Sequence, residues 1–398
     1  MRKVYFRGGH AGFSGLSILL GMLVLFSCKV KTGTSSMEPY QSAVNAYSNL
    51  VYDTYTEVLN RSVELQSAIN EFIQDPDSIK MQVAKNKWIY AREKYAQTEV
   101  FRFYDGPIDN GSSGVEDLLN AWPLDEVYVD YVEGNNNSGI INNIINYPEI
   151  TKDLLISMNQ NGGEENISTG FHAIEFLLWG QDLNSNGPGK RSFKDYLANA
   201  KNADRRKSYL KISIDLIIEQ LSYLKQQWEI DKLDNYRTLF IQSAPNIALQ
   251  KILTGMATLS KVEMAGERMF TAYDNADQED EQSCFSDNTK ADLVNNLAGI
   301  KNVFYGEYKE SDSAKYNITS IGELVKNKDE DLYRETDLLI KKCTSDLKLI
   351  HQPFDQALIL EDKRPQVLEA VMSMQKLGDQ FSKVAEVLGL SINVNAVN

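Results

Sequence analysis

Histidine is almost missing from this chain. There are three in 398 residues, and only His172 and His351 lie beyond residue 27. That scarcity excludes a metal centre built on several imidazoles. No H-E-x-x-H pair supplies a metal together with a general base. No G-x-S-x-G elbow, phosphate-binding loop or dinucleotide fingerprint stands out either. Cysteine occurs three times, never at metal-type spacing. The nine prolines fall mostly between helical blocks (Pro107, Pro123, Pro148, Pro188, Pro245), and no run alternates as a strand would. Basic residues are outnumbered, 41 against 55, for a net charge of −14. An acidic chain of this kind is a poor binder of nucleic acid or anionic lipid.

The long apolar run needed to span a membrane is also lacking. Leu16 to Phe26 (LSILLGMLVLF) follows Arg2, Lys3 and Arg7 and has the length of a signal-peptide core. Leu25-Phe26-Ser27-Cys28 then resembles a bacterial lipobox, with Phe26 bulkier than is usual there. The expectation is a signal peptide over 1–27, lipidation of Cys28 and a flexible tether over 28–37. A plain secretory signal with an incidental cysteine is the alternative. Outside the cytoplasm Cys284 and Cys343 could form a disulfide, or both could stay free.

What is present is helical periodicity. Leu210, Ile214, Ile217, Leu221, Leu224 and Trp228 step by four and three, a heptad seam. Ala84, Trp88, Ala91 and Tyr95 form a second seam, and Ile252, Met256 and Leu259 a third. The chain reads as all-α: two related antiparallel helical bundles, 38–240 and 241–398, from an internal duplication. The duplication rests on a faint repeat of Glu99 to Asp105 near Glu267 to Asp274. The first bundle carries a Gly- and Asn-rich insertion over 105–168, with short helices between its loops. Irregular regions of that length are often functional.

Several polar residues interrupt the apolar faces. In Thr169 to Asp182 (TGFHAIEFLLWGQD), His172 and Glu175 sit three apart among apolar neighbours, so on a helix they share a face. Ser168 or Thr169 would cap its start. A neutral imidazole beside a carboxylate is part of a metal site; a core histidine bonded to its own glutamate is the plainer alternative. Extending the Trp88 seam at helical spacing reaches Thr98, Glu99 and Arg102, either a structural pair or groups facing a polar site. Gly106-Pro107-Ile108-Asp109 is a turn whose Asp109 is either a cap or a ligand. In the second half Glu263 continues the Ile252 stripe, with Glu267 one turn on beside Arg268. An acidic run containing Ser283 and Ser286 follows, and its end suits a helix N-cap.

Taken together, four segments resemble the imelysin family: WIYAREKYAQTEVFRFYDGPID, GGEENISTGFHAIEFLLWGQD, MAGERMFTAYDNADQEDEQSCFSDNT and KNVFYGEY. The second holds the family's G-x-H-x-x-E motif as Gly170, His172 and Glu175. The resemblance implies a bacterial envelope protein of iron uptake, two related helical bundles, and a site near their interface. It also carries a peptidase label. On this reading His172 and Glu175 bind a metal ion, iron first and zinc second. Glu99 and Asp109 complete the shell, Arg102 orients a carboxylate or an anion accompanying the metal, and Glu263, Glu267, Ser283 and Ser286 line the site. The expected partners are the metal or an iron chelate, the membrane through the lipid, and an outer-membrane uptake protein. One rival is a metallopeptidase with Glu175 as ligand or base; another is a metal-free lipoprotein that docks a partner.

Overall fold

Seam residues determine the architecture. In the computed structural model, which describes residues 37–111, 113–184, 186–307 and 319–394, helix α1 (Glu38–Gln74) buries Tyr40, Val44, Tyr47, Val51, Val58, Leu65 and Phe72 at heptad intervals. Its 37 residues make it about 55 Å long. Asp77 caps α2 (Ser78–Tyr95) by accepting hydrogen bonds from the Ile79 and Lys80 amides, both at 2.8 Å. α2 runs back along α1: Lys87 pairs with Glu64, and Arg61 reaches the Tyr90 carbonyl. The signal segment, Cys28 and nearly all of the tether lie outside the described residues.

Helix α3 (Gly170–Trp179) carries the His172 motif and is buried along its whole length. The expected seam from Leu210 to Trp228 is borne out: all six residues are buried, the first five within α4 (Ala203–Gln227). α4 lies antiparallel to α1 and also covers α3. α5 (Pro245–Thr258) continues without a break into a π-helical stretch, Leu259–Phe270. α6 (Thr289–Tyr305), α7 (Glu330–Leu349) and α8 (Arg364–Val387) follow, with α8 packed along both the π-helical stretch and α7. Among the described residues there is no strand, only one isolated bridge between Val132 and Asn135. The fold is all-α. Its buried apolar residues form one cluster that runs from Tyr40 to Leu390 across residue 240.

The insertion holds the short helices Glu116–Leu119, Glu126–Val129, Gly139–Asn142 and Lys152–Met158. Its loops are ordered by a buried carboxylate. Asp130 accepts from Arg191 Nη1 at 2.6 Å, Arg206 Nε at 2.7 Å and Asn142 Nδ2 at 3.0 Å. One side chain of the insertion is thereby tied both to the α3–α4 connection, at Arg191, and to the first turn of α4, at Arg206. Cys284 and Cys343 are both free thiols.

Candidate functional site

Three hydrogen bonds to backbone carbonyls position α3. Trp88 of α2 donates its indole N–H to Phe171 at 2.9 Å, Tyr209 of α4 donates to Ser168 at 2.8 Å, and Tyr196 donates to Leu177 at 2.6 Å. Thr169 occupies the N-cap position, but its hydroxyl makes no hydrogen bond. The motif glycine, Gly170, has φ +85°, and a Cβ there would lie 2.6 Å from the Leu119 carbonyl oxygen. Only glycine allows the chain to turn into the helix at this closeness.

On α3, His172 Nδ1 and Glu175 Oε2 are 2.8 Å apart. The other oxygen of Glu175 accepts both the backbone N–H (3.0 Å) and the hydroxyl (2.6 Å) of Ser286. Burial pushes the Glu175 carboxyl up to about 8 despite those bonds. Burial, then the Arg92 and Arg268 guanidiniums, hold the imidazole well below its ordinary range and therefore neutral. His172 Nε2 is buried and has no hydrogen-bond partner. Ser286→Ala is expected to cost about 1 kcal/mol of stability in urea unfolding, since the backbone N–H still holds Glu175.

Around this pair runs an arginine–carboxylate network. Arg92 donates Nε to Asp292 at 3.1 Å and Nη1 to Asn120. Asp292 also accepts from the Ser283 hydroxyl and from Asn288 Nδ2. Arg268, wholly buried, donates to Glu99 at 2.5 Å, to Asn296 at 2.9 Å and to Glu263 at 3.2 Å. Arg102 lies 3.0 Å from both Glu99 and Glu116. Burial works against the charge on Glu99, but Arg102, Arg268 and Arg92 overcome it and hold the carboxyl at about 2. Besides His172 Nε2 and Thr169 Oγ1, the Tyr95 hydroxyl, Arg102 Nε and Arg268 Nε are also buried without a partner. Tyr95 packs its ring 4.8 Å from that of Phe171.

The structure thus brings Ser286 directly to Glu175, joins Glu99 and Glu263 through Arg268, and joins Arg102 to them through Glu99. Other expectations need correction. Asp109 belongs to its own turn, accepting from the Phe103 and Gly106 amides, so its carboxylate is committed to backbone. Glu267 is exposed and does not line the site. The π-helical stretch widens the turn there, so residues five apart, Glu263 and Arg268, meet on one side and Arg268 takes the inward place. Beyond Tyr95 the α-helix gives way to a 3₁₀ turn, Ala96–Phe101, bound to α6 by Asn296 Nδ2 on the Ala96 carbonyl at 2.9 Å, yet Thr98 and Glu99 are buried as the extended seam predicted. Arg92 and Arg268 were missed as site residues. Arg92 was legible, an arginine one turn beyond Trp88 on a buried seam; Arg268 was not.

Among the described residues no group of three or more His, Cys, Asp or Glu side chains is arranged to hold a metal ion. The site offers one unpartnered imidazole nitrogen, at His172, among guanidiniums and carboxylates that pair with one another. Both oxygens of Glu175, which shares the His172 face of α3, are in use.

The sequence profile of the family described as Imelysin (peptidase M75) matches residues 51–384. The chain is 22% identical over 302 residues to iron-regulated protein A of Synechococcus elongatus, covering 74% of this chain and 71% of that protein. A structure described as an iron-regulated protein A precursor from Parabacteroides distasonis superposes with a TM-score of 0.69 at 19% identity, over 88% of this chain and 95% of the other. A structure described as an imelysin-like protein from Psychrobacter arcticum 273-4 gives 0.65 at 13% identity, over 90% of this chain and 98% of the other.

Proposed function

The chain belongs to the imelysin family, and from that membership we propose that it is an iron-uptake protein of the bacterial envelope, lipid-anchored through Cys28, that takes iron together with an anion at the His172 site. The observation that carries this reading is His172 Nε2: buried, without a partner, on an imidazole kept neutral and oriented through Nδ1 by Glu175. Metal-ligating histidines are oriented in this way, with the second nitrogen held by a carboxylate, and metal binding would ionise Glu175, whose buried carboxyl otherwise keeps its proton up to about 8. One nitrogen does not hold iron alone, and the Arg92 and Arg268 guanidiniums, although paired with Asp292, Glu99 and Glu263, disfavour further positive charge at His172. The remaining ligand oxygens therefore come with the cargo, as in a hydroxycarboxylate chelate. The name iron-regulated protein A, borne by the similar proteins, agrees with iron as that cargo.

Because His172 is only 2% exposed, the cargo enters through local opening, and binding is expected to be slower than ordinary docking. Calorimetry with ferric citrate, Fe(II), Fe(III) and Zn(II) is the test. The expected result is ferric citrate binding with a Kd below roughly 100 μM, weakened tenfold or more, about 1.4 kcal/mol, in His172→Ala. Equal binding by that variant, or no binding of any iron form, overturns the reading. No metal-dependent cleavage of unfolded peptides is expected, because Glu175 has no free oxygen to act as a base. Turnover abolished by His172→Ala would put a peptidase first.

A further inference from the structure

The end of the molecule where α1 begins carries exposed apolar side chains, among them Met37 at 37%, Leu239 at 69% and Ile247 at 49% exposure. Long-range hydrogen bonds gather their segments there. Gln41 Nε2 donates to the Ile241 carbonyl at 3.1 Å, Tyr40 to the Leu388 carbonyl at 2.8 Å, and Gln250 to the Ser391 carbonyl. The segments bearing Leu239 and Ile247 are therefore held beside the first turn of α1.

The stretch between Cys28 and this end is short. Cys28 is nine residues upstream of Met37, so a lipid on it is within about 32 Å of the first turn of α1 even with the tether fully extended. The opposite end of α1, at Phe72, is about 50 Å from Met37. Near Phe72 lie Tyr196, with ring centroids 4.8 Å apart, and the start of α4, where Arg205 binds the Ile141 and Pro148 carbonyls. Ile145, 93% exposed, belongs to that remote end.

We infer that the face formed by Met37, Leu239 and Ile247 rests on the lipid surface, so that the protein stands with α1 leading away from the membrane. The inference rests on the lipid anchor proposed above. Its occupant is a bilayer, because a lipid tethered this closely brings that surface to this end of the fold at high local concentration. The charges nearby are of both signs, Glu38 in the first turn and Lys328 over the Tyr40 ring at 5.2 Å. Apolar contact rather than attraction to anionic lipid is what holds the face down. The acidic chain is consistent with that.

The test uses the mature lipidated chain, purified from membranes, with Cys284→Ala and Cys343→Ala. An environment-sensitive fluorophore is placed at Leu239→Cys, Ile247→Cys or Ile145→Cys, on phosphatidylethanolamine-rich vesicles. Circular dichroism confirms that each variant is folded. The expected result is a blue shift and quenching by lipid-borne quenchers at 239 and 247, with neither at 145. If the chain floats with the vesicles but 239 and 247 stay as water-exposed as 145, this orientation is overturned and the anchor stands. If the chain does not float, or floats equally well as Cys28→Ala, the anchor fails and the orientation with it.

Discussion

Asp130→Ala is expected to cost the fold about 3–5 kcal/mol, read as a fall in the urea midpoint. The variant leaves two guanidiniums, Arg191 and Arg206, with side chains only 2% exposed and no carboxylate between them. Removing one partner of a buried ion cluster is costly because the remaining charges are left without water and with only Asp195, 3.8 Å from Arg191, as a distant counter-ion. Replacing all three members by apolar residues of similar volume, Asp130→Leu with Arg191→Met and Arg206→Met, should recover most of the loss. Acid supplies a second reading of the same contact. Burial opposes the charge on Asp130, but Arg191 and Arg206 outweigh it and hold its carboxyl below the ordinary range. A depressed folded-state value means that the contribution is complete above the unfolded value of about 3.9 and is lost as pH falls below it. Wild type is expected to lose this increment in strong acid, and Asp130→Ala to have no such increment to lose. Equal stability of the two proteins at pH 7 would show that the cluster does not order the insertion.

Gly170→Ala is expected to destabilise by a similar amount, about 3 kcal/mol or more, and to weaken binding at His172 two residues on. Two penalties combine. A φ of +85° costs an L-residue about 1–2 kcal/mol, and the new Cβ would sit 2.6 Å from the Leu119 carbonyl oxygen and 2.7 Å from its carbon. Neither obstacle is a flexible side-chain tip, and α3 is buried on every side, so backbone must move. Gly134 separates the two penalties. Its φ is +78°, but a Cβ there meets nothing within 4 Å. Gly134→Ala should therefore cost only about 1 kcal/mol. Equal losses in the two variants, measured by urea unfolding, would show that closeness to Leu119 contributes nothing.

These two positions also divide what could be read in advance. Gly170 stands in a recognisable motif, yet the reason for glycine there is a carbonyl fifty-one residues earlier in the chain. Asp130, Arg191 and Arg206 carried no sequence signal; charged residues in a loop-rich stretch look solvated until the fold buries them. The contact between His172 and Glu175 was legible, because three-residue spacing on a helix is a local property. The hydroxyl that completes Glu175 comes from Ser286, 111 residues away.

Sequence alone determined that the chain is helical and which residues are buried along the seams at Ala84–Tyr95, Leu210–Trp228 and Ile252–Leu259, since heptad spacing of apolar residues is local and survives any arrangement of the helices. It also determined the pairing of His172 with Glu175. Tertiary structure decided which charges surround that pair. A 3₁₀ turn after Tyr95 and a π-helical stretch after Thr258 each change the pitch of one helix. Those changes place Glu99 against Arg268 and turn Glu267 to solvent. The physical reason is that a helix can widen or tighten when distant partners satisfy its backbone and side chains, and a spacing rule assumes that its pitch is constant.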